Sequence, residues 1–143
     1  RTGIMIEVKK DDYLTPDTDI EQIILPILES YRGDFIVKSF NPHSVTYMRQ
    51  HAPQFRAGLL CDLGTVESYS IHVRALVDEL LFGKNKVDFF DVAVGLLETP
   101  LACTLREQGM PIITWTVRDQ ATYEEKRHLF DNMIFENFIP KRL

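Results

Sequence analysis

Apolar and polar positions along this chain alternate in blocks, and the block lengths predict a repeated strand-then-helix order. The run at residues 3–9 is too short for a helix and is rich in Ile and Val, so it predicts a buried strand with a charged end. After a polar turn with Pro16, Asp17 or Thr18 is placed to cap a helix over 19–31. Ile20, Ile23, Ile24, Ile27 and Leu28 are spaced along one face of it, and Pro26 is positioned to kink it. The rhythm continues with strands over 35–40, 56–61, 90–94, 111–117 and 133–138. Helices are predicted over 42–51, 66–82, 100–108 (closed by Gly109) and 122–130.

Strands that are short and apolar on both faces, separated by helices, are the pattern of an all-parallel sheet covered by helices. The fold class predicted is therefore α/β. An open doubly wound sheet and a closed eight-stranded barrel share this rhythm. The turn after Lys9, however, lacks the glycines that a doubly wound nucleotide binder places after an early strand. The barrel is the expectation, as a parallel (β/α)8 TIM-type barrel. Such a barrel takes about 200 residues even when compact, so six strands in 143 residues predict one with its N-terminal two strands missing. The start at Arg1, with no initiator Met and an apolar run almost at once, agrees with that expectation. No linker or low-complexity tract divides the chain, and residues 1–143 are expected to form part of a single domain.

Composition narrows the function classes. With 45% apolar and 26% charged residues the chain has an ordinary globular profile, and the net charge of −5 with scattered Lys and Arg argues against nucleic acid. Cys61 and Cys103 are far apart, lack metal or redox spacing, and are both expected to be buried thiols. No apolar run approaches the roughly 20 residues of a membrane span, so a soluble chain is expected. Its compartment stays open, with the cytoplasm slightly favoured.

In parallel barrels the chemistry sits at the C-terminal ends of the strands. The polar and aromatic residues predicted there are Glu7, Lys9, Lys38, Ser39, Asp62, Trp115, Arg118, Asp119, Glu136 and Asn137. Glu7 and Lys9 lie on one side of their strand. A carboxylate and an ammonium there suit a hard divalent cation and a phosphate oxygen, while spacing alone favours a structural ion pair or a solvated strand end. Ser39 offers a hydroxyl to phosphate and Trp115 a wall to a substrate, with core packing as the alternative for the tryptophan. His43, His51, His72 and His128 fall in or beside predicted helices, where they are expected to face away from the mouth. No nucleophile–base–orienter set is present, so the chain as given holds no complete catalytic constellation.

Taken in order, the strand ends resemble the glycerophosphodiester phosphodiesterase family. Ile4-Met5-Ile6-Glu7-Val8-Lys9 is similar to that family's third-strand pattern, and Val37-Lys38-Ser39-Phe40-Asn41 to its fourth-strand Ser-Phe motif. Gly109-Met110-Pro111 ahead of Trp115-Thr116-Val117 is similar to its seventh-strand signature, and Ile134-Phe135-Glu136-Asn137 to an ending found in part of the family. The resemblance implies a metal-dependent hydrolase that cleaves glycerophosphodiesters to glycerol phosphate and an alcohol, with one divalent cation, Mg or Ca. Carried over residue by residue, Glu7 matches a metal carboxylate, Lys9 the phosphate-side lysine and Trp115 a pocket aromatic. The family's His-Arg-Gly, Glu-x-Asp and catalytic His motifs do not occur in residues 1–143, so this piece alone is expected to catalyse little. An open barrel is further expected to expose sheet edges and to aggregate or pair with another chain. A rival reading is a non-catalytic barrel that binds a phosphate ester or a protein.

Overall fold

The computed structural model describes residues 2–12 and 14–141. Six strands form one sheet: β1 (Ile4–Glu7), β2 (Phe35–Ser39), β3 (Ala57–Cys61), β4 (Phe89–Ala93), β5 (Ile112–Val117) and β6 (Asn132–Phe135). They lie side by side in chain order, and every neighbouring pair is parallel. Sequential order separates this sheet from a doubly wound one, whose strand order reverses at a switch point.

Six helices connect the strands: α1 (Asp19–Ser30), α2 (Pro42–His51), α3 (Leu63–Ser68), α4 (Ile71–Phe82), α5 (Pro100–Glu107) and α6 (Gln120–Lys126). Their starts follow local chemistry. The Asn41 side chain accepts from the backbone N–H groups of His43 and Ser44, with Pro42 opening α2. Thr99 and Pro100 open α5 in the same way. After α5 the chain reverses at Gly109, whose φ of 76° is a left-handed conformation that a side chain would strain.

Period 2 along the strands sorts their side chains into two layers. Val8, Val37, Leu59, Cys61, Phe90, Val92 and Ile112 belong to the core shared with the helices. The alternate positions, Glu7, Lys38, Gly58, Leu60, Phe89, Asp91, Ile113 and Trp115, face the other side. That side is the concave interior of a curl. Phe40, just past β2, and Trp115 on β5 meet with ring centroids 5.5 Å apart. In a flat sheet, strands three places apart would stand about 14 Å from each other. The architecture is thus a curled, helix-covered set of parallel strands, a partial TIM-type fold. Its edge strands β1 and β6 expose Ile4, Met5 and Phe135.

Four details depart from the sequence reading. The single helix expected over 66–82 is two: Asp62 caps α3 through Thr65, the chain extends at Tyr69, and Ser70 caps α4 through Val73. The extended residue turns the Tyr69 ring into the core. The face of α1 is rotated from the expected one, because Ile20, Ile23 and Ile27 are exposed while Glu21 and Leu28 are buried. An ion pair fixes that rotation, Lys10 Nζ lying 3.1 Å from Glu21 Oε1, and α1 covers an edge strand that has a strand neighbour on one side only. The helix also runs through Pro26, and Thr18 at its start makes no side-chain cap. Of the two thiols expected to be buried, Cys61 is buried and Cys103 is only half-buried.

Candidate functional site

The C-terminal end of β1 carries the charged pair read from the sequence. Glu7 closes the strand, and Lys9 Nζ, 77% exposed, sits 3.2 Å from Glu7 Oε1, whose side chain is 23% exposed. Beside β1 a polar depression of about 460 Å³ is lined by Lys9, Lys10, Asp12, Thr15 and Asp17. A larger depression, about 620 Å³, opens at the opposite end of the strands around Ile4, Asp34, Phe35 and Arg56. It holds no comparable convergence of groups, and in parallel barrels that end serves stability.

Glu7 stands opposite Lys38 in the β1–β2 register. Lys38 and Asp91 form a second, fully interior pair, with Nζ to Oδ2 at 2.8 Å and side chains 5% and 0% exposed. Burial raises the Asp91 pKa. The Lys38 ammonium acts against that shift and the nearby Glu7 charge adds to it, so the three groups share one electrostatic neighbourhood. The other Asp91 oxygen, Oδ1, has no hydrogen-bond partner among the described residues. Asp91 is the residue that sequence reading missed. Its only signal is an acidic residue inside an apolar strand.

Trp115 is half-buried, its ring packs at 87° against Phe40, and its Nε1 is buried without a hydrogen-bond partner among the described residues. It is therefore both a packing residue and a wall of the interior. Ser39 does not reach the mouth. Its hydroxyl faces the helix side, donating to the Val8 carbonyl at 2.7 Å and accepting from Asn41 N, so the hydroxyl is committed to the backbone. Asp62 and Asp119 are helix caps, and Arg118 pairs with Glu136 at 2.5 Å across the ends of β5 and β6.

Of the histidines, His51 is exposed and stacked on Tyr47, and His72 and His128 are exposed. His43 differs from these in burial. In the first turn of α2, directly after β2, it lies at the same end of the sheet as Glu7 and is half-buried. Burial, with a contribution from the Lys10 charge, lowers its pKa.

In ligand type the interior suits a hard cation. Glu7 is a partly exposed carboxylate whose ion-pair partner is the exposed Lys9, and carboxylate oxygens are the donors such cations take. No group of three acidic, His or Cys side chains able to hold a metal ion occurs among the described residues. Of the two carboxylates Glu7 is the accessible one, and Asp91 is fully buried.

Residues 2–139 match the model of the glycerophosphoryl diester phosphodiesterase family. The chain belongs to that family. Solved structures share the fold. A glycerophosphodiester phosphodiesterase from Thermotoga maritima is 19% identical with a TM-score of 0.65, over 92% of this chain and 52% of its own. A crystal structure described as a putative glycerophosphodiester phosphodiesterase, from Galdieria sulphuraria, is 14% identical with a TM-score of 0.68 over the same shares. An Oleispira antarctica phosphodiesterase, solved in complex with the product sn-glycerol-3-phosphate, is 12% identical with a TM-score of 0.64, over 93% of this chain and 51% of its own. No curated protein matches the sequence. The chain spans about half the length of these solved structures. No helix among the described residues is long and apolar enough to cross a membrane.

Proposed function

We propose that this chain forms one wall of the active site of a glycerophosphodiester phosphodiesterase, hydrolysing glycerophosphodiesters to glycerol phosphate and an alcohol. The observation that carries the reading is the Glu7–Lys9 pair at the mouth of a curled interior, in a chain of this family. The strands that complete the barrel, and the remaining carboxylates and histidines of the site, lie outside residues 1–143. The chain by itself then turns over little.

In this reading Glu7 supplies one oxygen ligand to a divalent cation, Mg or Ca. The cation, when bound, neutralises charge developing on the phosphoryl oxygens. Lys9 sits on a flexible stem two residues beyond Glu7. Its ammonium leaves the carboxylate and donates to a non-bridging phosphate oxygen, so the ion pair of the free protein opens as ligand and substrate arrive. The Trp115 and Phe40 rings exclude water from one side of the interior and give the substrate an apolar wall.

The test is Glu7→Gln in the full-length protein, assayed on a glycerophosphodiester with added Mg or Ca. Turnover is expected to fall by about 100-fold or more, with the melting temperature little changed. Unaltered turnover at saturating cation would sink the assignment. His128→Ala, on an exposed turn, is the control and is expected to retain activity. A second reading, a barrel that binds phosphate esters without cleaving them, draws on the absence of histidine from the interior face among the described residues. Binding of a glycerophosphodiester by the full-length protein without product would favour it.

A further inference from the structure

The proposed reaction leaves the buried Lys38–Asp91 pair unused, and packing does not explain it. A buried ion pair gains little or nothing in stability over apolar residues of the same volume, because both ions lose their hydration. Its surroundings are apolar enough for such a replacement: Leu60 stands beside Asp91 in the β3–β4 register and Ile113 in the β4–β5 register. The position of Lys38 explains more. Glu7 and Lys38 are register partners on adjacent parallel strands, with side chains on the same interior face, about 4.8 Å apart across the strands. A lysine stem spans that gap easily. An unrestrained Lys38 ammonium would therefore bond to Glu7 and occupy the oxygens a cation needs. Instead it lies 2.8 Å from Asp91 Oδ2, two strands away, and Glu7 pairs with the exposed Lys9.

We propose that Asp91 is a positioning residue: it holds the Lys38 ammonium away from Glu7 and so keeps the Glu7 carboxylate available to a divalent cation. This inference rests on the reading of Glu7 as a cation ligand. Asp91 touches neither substrate nor cation in it. The residue acts by removing a competitor, while Lys9, at the solvent edge, is displaced easily because an exposed pair is weak.

The experiment measures Mg and Ca affinity of the full-length protein by titration calorimetry, at a temperature where each variant is folded. Asp91→Asn is expected to weaken cation binding by about tenfold, because Lys38 turns to Glu7. Adding Lys38→Met to it is expected to restore affinity to within about threefold of wild type, even if the melting temperature stays low. A merely structural pair gives a different result: Asp91→Asn lowers the melting temperature but leaves cation affinity of the folded protein unchanged, and that outcome overturns the proposal. If Asp91→Asn fails to fold, Lys38→Met with Asp91→Leu, which removes both charges, is expected to bind the cation as wild type does, and loss of binding there overturns the proposal. A structure of Asp91→Asn, or of Asp91→Leu if that variant alone folds, supplies a readout independent of any cation. Lys38 Nζ is expected within hydrogen-bond distance of Glu7, and a lysine that stays away refutes the positioning role. Glu7→Gln separates the two ideas. If it binds the cation as tightly as wild type, the ligand reading fails and the inference falls with it. If it binds weakly while Asp91→Asn binds normally, only the inference fails.

Discussion

The Phe40 and Trp115 rings meet edge to face at 5.5 Å, although Phe40 follows β2 and Trp115 lies on β5, which two further strands separate in the sheet. The contact closes the interior above Lys38 and Asp91. Trp115 is the only tryptophan in the chain, so its fluorescence reports on that interior without interference. Phe40→Ala is expected to open the ring to water and move its emission to longer wavelength, and glycerol phosphate is expected to change the emission of the wild-type protein more than that of this variant. An emission spectrum indifferent to both would place Trp115 in the core and out of the substrate wall.

Gly58 leaves room for the Phe89 ring, its register partner on β4. A Cβ there would stand 2.2 Å from a ring carbon of Phe89, which is buried beside it on the interior face. Gly58→Ala is expected to destabilise the fold by about 1–3 kcal/mol, the range for overpacking a filled core. Chemical denaturation measures this directly, and a stability within about 0.5 kcal/mol of wild type, the usual surface-substitution range, would mean that Phe89 moves freely.

Lys10 and Glu21 are almost wholly buried, 3% and 0% exposed, and Lys10 also donates to the Asp17 carbonyl. The pair ties the loop after β1 to the first turn of α1. Glu21→Ala leaves the Lys10 ammonium without its buried counter-charge and is expected to cost about 3–5 kcal/mol. A double change of Lys10→Met and Glu21→Leu is expected to recover most of that loss. If the single change costs no more than the double, the carboxylate is not what accommodates the lysine.

Cys61 lies in the core under α4, and burial pushes its pKa up to about 12. At pH 8 that leaves about one thiolate in ten thousand, and the thiolate is the reactive form. A thiol reagent such as Ellman's is therefore expected to leave Cys61 unmodified in the folded protein and to titrate it once denaturant is added. Mass spectrometry of the modified peptides distinguishes it from Cys103. Rapid modification of Cys61 under native conditions would show that this part of the core opens readily.

The interior neighbourhood was legible in the sequence only in part. Glu7 and Lys9 could be placed on one side of a strand because the strand period is 2, and Trp115 could be placed near a strand end because the apolar run over 111–117 marks the strand. Asp91 could not be assigned, because its partner Lys38 is 53 positions away and reaches it across an intervening strand. The Ser39 hydroxyl illustrates the converse. Its place at a strand end was correct, but its face and its bond to the Val8 carbonyl depend on the register of β1 against β2. His43 was on the expected helix, yet the position of that helix start over the end of β2 brings it near Lys10.

What the sequence determined by itself is the order and kind of the elements, because local patterning suffices for them. Apolar runs of strand length, helix starts with Asn41-Pro42 and Thr99-Pro100, and the reversal at Gly109 each act over a few residues. What only the tertiary structure decided is how charges distant in the chain meet. The rotation of α1 to bury Glu21, the break between α3 and α4 that seats Tyr69, and the choice of Asp91 over Glu7 as the partner of Lys38 are examples. The physical reason is that the curl of the sheet sets those distances, and a buried charge must find its counter-charge wherever the curl brings one within reach.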